Sequence, residues 1–379
     1  MFLKKLDWYI IRRLFGTFFF TMFFLLLIVI LLDVNQRQTR LSNNGSNSIE
    51  YLKHYSIYYM VYLGNTFVQL VVFISVIFFT SRLTNNTEIV AMHSGGMSFY
   101  RVSRPYIVSG LVIAATSLYV SHFLLPYSNV KKNAFFEKYL VGATQKSEFL
   151  RTKRVHAFIS KDEQLNIIEY SQDSKSGSGF SYFKYDKKLN RTHSIQAQNA
   201  KWNEKKGEYE LTNVVERWGG VNEKLPQHKD KISFYDDKIQ FFPSKNVKLN
   251  ANPDYLLPSE SLAENLTTPK LMEFIKRRKE QADPNIKRYE TYLYERTSLA
   301  VSTFIMTILA LAISSRKRRG GIGMNLVIGI ALAFLYVILY FILGATSKNG
   351  KLDPIIGTTL PNIIFALITL VAYFRRARM

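Results

Sequence analysis

The sequence predicts a membrane α-helical protein with six transmembrane helices and a β-jelly-roll or sandwich domain inserted after the third. Three observations carry that expectation. Six almost charge-free stretches each reach the roughly 20 apolar residues that cross about 30 Å of hydrocarbon. Basic residues gather at four places that six crossings put on one side. The polar middle of the chain alternates with period 2 and lacks the helical period.

The first span covers residues 14–32, rich in Phe and Leu and free of charge. A secretory signal peptide is its rival, but the apolar run is too long, and Asp33-Val34-Asn35-Gln36-Arg37 follows in place of a small-residue cleavage site. The second and third spans lie within residues 55–81 and 105–125. The last three cover 297–315, 320–347 and 354–374. Backbone amides find no water in lipid, so each is expected to be a helix. Lys4, Lys5, Arg12 and Arg13 precede the first span, and Arg82, Arg101 and Arg104 separate the second and third. Arg316-Lys317-Arg318-Arg319 separates the fourth and fifth, and Arg375, Arg376 and Arg378 follow the sixth. Dropping one helix would scatter these clusters over both sides, so their agreement supports the count and makes that side, with both termini, cytoplasmic. Tyr55, Tyr58, Tyr59, Tyr62, Tyr289, Tyr292 and Tyr294 fit an outer interfacial belt. The expected organisation is residues 1–126 for helices one to three, 127–268 for the external β domain, and 269–379 for a linker helix with helices four to six.

Composition narrows the chemistry. The 379 residues include 50 Lys and Arg against 28 Asp and Glu, a formal charge of +22. Such a balance admits nucleic acid, anionic lipid or an acidic ligand. The topology then removes nucleic acid, because much of the excess flanks the inner leaflet, where it orients helices and meets anionic headgroups. The chain has no Cys, which excludes disulfides, thiolate metal sites and cysteine nucleophiles. The six His show no i, i+4 pairing, and no GxxxxGK[ST] loop occurs. No metal or other cofactor is expected.

Within the external segment, short alternating runs recur at residues 154–159, 165–170, 180–185, 193–202, 209–218 and 231–242. Turn-like clusters such as Ser174-Lys175-Ser176-Gly177-Ser178-Gly179, Lys205-Lys206-Gly207 and Trp218-Gly219-Gly220 separate them. A small extracytoplasmic spacer is the plainer alternative to a binding domain. Residues 251–268, with Pro253 and Pro258, read as a linker; residues 270–288 read as an amphipathic helix near the bilayer surface.

The loop between helices two and three holds the most informative short motif. Asn86 or Thr87 can cap a helix, Glu88 suits the positive end of its dipole, and Gly95-Gly96 can end it. The expected element spans about residues 85–96, with Ile89, Met92 and His93 on one side. It is either a rigid knob for a soluble cytoplasmic partner or an ordinary capped connector. Gly320-Gly321-Ile322-Gly323 reads as a tight turn, since no strand precedes it as a phosphate loop requires. Asp33, Arg37 and Arg40 fit either an anionic headgroup or a solvated helix exit, and Lys348, Lys351 and Asp353 pose the same choice. His122, near the outer end of its span, is expected to be interfacial or hydrogen-bonded.

Over nearly its whole length the chain resembles the lipopolysaccharide export permeases of the LptF/LptG type. Thr87-Glu88-Ile89-Val90-Ala91-Met92-His93-Ser94-Gly95-Gly96-Met97-Ser98 matches that family's SE-[IL]-x-x-M-x-x-x-G-[FLM]-[ST] coupling segment. Arg318-Arg319-Gly320-Gly321, Gly350-Lys351-Leu352-Asp353-Pro354 and Thr359-Leu360-Pro361-Asn362 are also similar. Ile195 to Trp202, followed by Leu211-Thr212-Asn213-Val214, resembles the A-x-x-A-x-[WY]…L-x-N-[VG] strands. Arg296-Thr297-Ser298-Leu299 lacks the proline that many relatives carry at the start of helix four. Met92-His93 leans towards LptF over LptG.

The resemblance implies half of the membrane part of an ABC transporter. Its implied partners are a second LptF/LptG-type permease, an LptB-type ATPase dimer, an LptC-type protein and lipopolysaccharide. Glu88, Ile89, Met92, His93 and Gly96 would couple to the ATPase, helices one and five would form lateral gates, and the periplasmic jelly roll would pass lipid onward, with Ile195 and Val214 on its path. Arg37, Arg40, Lys131 and Lys132 are candidates for the lipid phosphates. Two rival classes stand beside this one. A membrane-anchored sensor or mechanotransmitter with a ligand-binding periplasmic domain would usually carry a cytoplasmic output domain. A lipid-modifying enzyme would need polar clusters near the membrane surface.

Overall fold

A computed structural model describes residues 4–140, 153–160, 162–171, 174–186, 191–204, 206–221, 238–249, 260–280, 283, 285–316 and 321–378. The chain forms two compact units. One holds the described residues up to Leu140, Ser261–Met272 and those from Lys287 onward; the other holds those of Val141–Glu260 and Glu273–Ile286.

The first unit is helical. Helix α1 spans Lys5–Asn43, α2 spans Ser48–Asn85 with a π-turn at Leu52–Ser56, and the short α3 spans Glu88–Ser94. Helix α4 runs Phe99–Tyr119, passes a π-turn at Val120–Leu124 and continues as Leu125–Tyr139. After the β domain come α5 (Glu260–Asn265), α6 (Thr268–Glu280), α7 (Ile286–Ser314), α8 (Gly321–Lys348) and α9 (Pro354–Ala377). Helices α1, α2, α4, α7, α8 and α9 are the six long and apolar enough to cross a membrane. The shortest has 24 residues, about 36 Å at 1.5 Å per residue.

Two boundaries differ from expectation. Residues 127–139 were expected to open the β domain but continue α4. Pro126 is tolerated because the preceding π-turn already interrupts the i→i−4 ladder, and Phe135 then packs on Tyr51 and Tyr55. At the other side, α7 starts at Ile286 instead of 297, and the stretch expected as a loop linker contains α5. Of the turn expected at Gly320-Gly321-Ile322-Gly323, Gly320 lies outside the described residues, and Gly321 to Gly323 instead form the first turn of α8.

The helical core gathers around α2 and α7: Val71, Val72, Phe73, Val76, Met306 and Leu309 pack with Leu14, Tyr106, Tyr336 and Phe365. Helices α1 and α8 turn large apolar side chains outward, among them Phe19, Phe20, Phe23 and Leu31 on one and Val327, Phe334 and Phe341 on the other. Such faces are stable against lipid and costly against water. Asn362, from the Leu360-Pro361-Asn362 motif, is buried and fully engaged: its amide donates to the Ser298 carbonyl at 3.0 Å and its oxygen accepts from the Tyr336 hydroxyl at 2.8 Å.

The second unit contains a six-stranded antiparallel sheet of the jelly-roll-like kind expected. Its strands, β1 (Lys153–Ser160), β2 (Glu163–Ser171), β3 (Ser176–Tyr185), β4 (Arg191–Asn203), β5 (Glu208–Val221) and β6 (Lys238–Val247), follow each other in chain order. Leu165, Ile167, Phe180, Tyr182, Ile195, Ala197, Trp202, Tyr209, Leu211 and Val214 form its apolar face.

Strict alternation breaks on one line across five strands. Two successive exposed residues interrupt the alternation at Ile168-Glu169, Gln198-Asn199, Thr212-Asn213 and Pro243-Ser244, with buried or half-buried neighbours on either side, and Ser178-Gly179 of β3 falls on the same line by register. Glu169, Ser178, Asn199, Thr212 and Ser244 are register partners in succession. A slip in one strand alone would send its side chains to the wrong face. Made in all five together, it creases the sheet and keeps one continuous apolar side. Gly179 (φ 67°) and Asn213 (φ 52°) supply the left-handed backbone there. Gly177 is also obligatory, since a Cβ would lie 2.4 Å from the Glu169 carbonyl oxygen. The A-x-x-A spacing of Ala197 and Ala200 is this crease read in sequence.

Candidate functional site

The coupling candidate is α3. Thr87 adopts a left-handed conformation (φ 61°) between α2 and α3, and Gly96 (φ 81°) leads out of it towards α4. Ser98 caps α4 by accepting from the Arg101 amide at 3.3 Å. Between these two bends α3 has seven residues. Glu88 lies at its start, half-exposed, accepting from the Tyr9 hydroxyl at 3.3 Å and the Asn86 amide at 3.5 Å. Ile89 and Met92 are 1% and 8% exposed and belong to the chain's own core. Burial of each is worth roughly 1.5–3 kcal/mol, so the apolar stripe roots α3 in the bundle. The outward face is Val90, Ala91 and Ser94 beside Glu88. The His93 ring holds Nδ1 2.8 Å from the Met97 carbonyl, bracing the turn through Gly95 and Gly96.

The end that carries α3 is cross-tied. Asp7, 1% exposed, accepts both Arg101 guanidinium nitrogens at 2.6 and 2.7 Å and the Lys4 amide at 2.7 Å. Thr84 of α2 donates to the Ser314 carbonyl of α7 at 3.0 Å, Phe99 packs on Tyr373, and Arg376 donates to the Ser315 hydroxyl at 3.1 Å. These links bring the described members of all four basic clusters to one end of the bundle.

At the opposite end, Arg37 is ion-paired with Asp33 at 2.7 Å and lies over the rings of Tyr55 and Phe136 at 5.6 and 5.4 Å. Lys132 lies over Tyr62 at 4.4 Å. Tyr55, Tyr59 and Tyr62 form a row of contacting rings, tilted between the first two and stacked between the last two, so Arg37 and Lys132 are held at its two ends, while Arg40 and Lys131 are exposed. Asp353 caps α9 by accepting from the Ile355 amide at 2.9 Å. Lys348 pairs with Glu295 at 2.9 Å. The His122 ring lies 2.8 Å from the Thr268 hydroxyl, the hydrogen-bonded role expected of it.

In the β unit Ile195 and Val214 are 3% and 1% exposed on the apolar face. Beside them stands a group that sequence reasoning missed. Glu216, 3% exposed, is ion-paired with Lys245 and holds the His193 Nε2 at 2.8 Å, and His193 stacks on Trp218. Glu216 is the register partner of Ile195, so a carboxylate stands on the greasy side of the sheet, its charge balanced by Lys245 and its other oxygen held by the His193 ring. Burial and the nearby Glu163 carboxylate push the Tyr182 hydroxyl pKa up. The Asp7–Arg101 pair was also missed. Its one signal was a lone acid among the basic residues ahead of the first apolar span.

Among the described residues no group of three or more His, Asp or Glu is placed to hold a metal ion. Comparison with curated proteins finds no match. The family model for the lipopolysaccharide export system permease LptF/LptG matches residues 8–376, nearly the whole chain, and the chain therefore belongs to the LptF/LptG family of lipopolysaccharide export permeases.

Proposed function

We propose that this permease is half of the membrane part of an ABC transporter that takes lipopolysaccharide from the outer leaflet of the inner membrane. Its jelly-roll domain, on the periplasmic side, hands the lipid to a bridge leading to the outer membrane. Both termini and α3 lie in the cytoplasm. The partners are a second LptF/LptG-type permease, an LptB-type ATPase dimer that hydrolyses the ATP, and an LptC-type protein. Family membership over residues 8–376 carries this reading.

Physical chemistry explains why such parts belong in one chain. Drawing a multi-acylated glycolipid through water exposes on the order of 70 methylenes at about 0.8 kcal/mol each. The sum is tens of kcal/mol, so the task calls for a continuous apolar shelter more than for force. A bundle with apolar outer faces on α1 and α8, and a sheet with one largely apolar face, supply two stretches of shelter. Glu88 with the outward Val90 face of α3 forms the contact with the ATPase, and Ile89 and Met92 transmit its displacement into the core. Arg37, Arg40, Lys131 and Lys132 meet lipid phosphates. The test is affinity purification of the full chain from its membrane. Recovery of an ATPase subunit whose activity depends on this chain supports the proposal; recovery of a chain that hydrolyses ATP unaided, or with no ATPase bound, rejects it.

A further inference from the structure

The helical unit holds a partly open cavity of about 350 Å3 lined by residues of α2, α4, α5, α7 and α8. Its size is at the low end of small-molecule pockets, right for a headgroup and too small for an acylated lipid body. The polar groups around it are unevenly engaged. Arg296 is fully occupied, donating to the Thr268 hydroxyl and to the Ala263 and Leu266 carbonyls at 2.8, 3.2 and 2.8 Å. Lys348 is held by Glu295 at 2.9 Å and lies over the Tyr292 ring at 4.3 Å. Both cations are therefore committed.

The uncommitted groups are acceptors. Gln69 is 4% exposed and Asn129 2% exposed, and each lines the cavity with a side-chain oxygen that has no hydrogen-bond partner among the described residues. Asn129 donates its amide to the Glu264 carbonyl at 3.3 Å, which fixes the orientation of its oxygen. The Glu264 carboxylate makes no hydrogen bond or close ion pair among the described residues, although it lies within reach of the Arg296 and Lys132 charges. Tyr62 and Tyr340 add aromatic surface. Two buried amide oxygens without partners among the described residues, a carboxylate with open acceptor positions and aromatic rings call for a compact cation with several N–H donors.

We propose that this cavity binds a primary ammonium group, as carried by an aminoethyl phosphate lipid headgroup or by an amine-substituted sugar of a glycolipid. Glu264 is its counter-ion, and the Gln69 and Asn129 oxygens accept its N–H bonds. A trimethylammonium group satisfies the charge and the rings but leaves both oxygens unmet, so the site discriminates against it. The inference requires the helical unit to lie in lipid and does not require export, so its test reads binding.

The full chain is placed in nanodiscs of mixed phosphatidylethanolamine, phosphatidylcholine and phosphatidylglycerol, and retained lipid is measured by native mass spectrometry. Phosphatidylethanolamine should be retained about tenfold or more over phosphatidylcholine, the discrimination that loss of charge-assisted hydrogen bonds produces. Millimolar ethylammonium should displace it, and Glu264→Gln and Gln69→Leu should each reduce the preference by a similar factor. Displacement by an amine-bearing glycolipid, but not by its amine-free form, would identify the sugar as the stronger ligand and equally support the site. Equal retention of the two zwitterionic lipids, or a preference that survives both ethylammonium and Glu264→Gln, would overturn it. The competition arm needs no variant, and Glu264→Gln alters a half-exposed side chain without changing its shape, so a misfolded Gln69 variant leaves the test intact.

Discussion

Asn213 tests whether the crease in the sheet is set by its backbone or merely tolerated. Its φ of 52° lies in the left-handed region, which costs most L-residues about 1–2 kcal/mol and suits Asn better than most. Its side chain also donates to the Gln198 oxygen at 2.6 Å across the two strands. Both residues are exposed, so that bond is worth about 0.5 kcal/mol, the low end for a hydrogen bond. Asn213→Ala loses both contributions, for a total of roughly 2 kcal/mol. Asn213→Gly loses the bond but keeps a backbone at ease with positive φ, so it should stay within about 1 kcal/mol of the parent. Hydrogen exchange at β4 and β5 amides in the full-length protein reads the difference. Protection should fall about 30-fold in the alanine variant and only several-fold in the glycine variant. Equal losses in the two variants would show that the hydrogen bond alone holds the crease and that the backbone argument is wrong.

Three further outcomes are expected. Glu88→Ala should reduce both recovery of the ATPase and lipid transport; a variant normal in both would remove Glu88 from coupling. Ile89→Ala, which hollows a site 1% exposed, should cost about 2–5 kcal/mol and loosen α3 ahead of the spans, seen as faster exchange confined to residues 86–97; unchanged exchange would contradict its role as an anchor. A photo-crosslinker at Ile195 or Val214 should capture lipopolysaccharide in an ATP-dependent way, whereas no adduct beside a working positive control argues for a spacer domain.

Much of the helical architecture was legible because each span is a local quantity. About 20 apolar residues between polar ends suffice to place one, and the charge clusters counted the crossings independently. The strands were legible for the same reason, since alternation marks a half-buried sheet. What failed lay where local signals met tertiary contacts. Residues 127–139 are mixed in polarity and carry no local mark of a continuing helix, yet Phe135 finds Tyr51 and Tyr55 and draws the chain on as helix. In α3 the stripe of Ile89 and Met92 was visible, but periodicity does not say whether a stripe faces a partner or the chain's own core.

By itself the sequence determined how often the chain crosses the bilayer, which loops are basic, where strands replace helices and which family the motifs belong to. Hydrophobic thickness, charge and side-chain period are all summed along the chain, so they need no knowledge of what packs against what. Tertiary structure alone decided which acids and bases meet: Asp7 with Arg101 across 94 positions, and Glu295 with Lys348. It also decided that five separate strands slip on one line, and that Gln69, Asn129 and Glu264 face a shared cavity. Those outcomes depend on the rotation of each helix about its axis and on strand register, which only the close packing of distant segments sets.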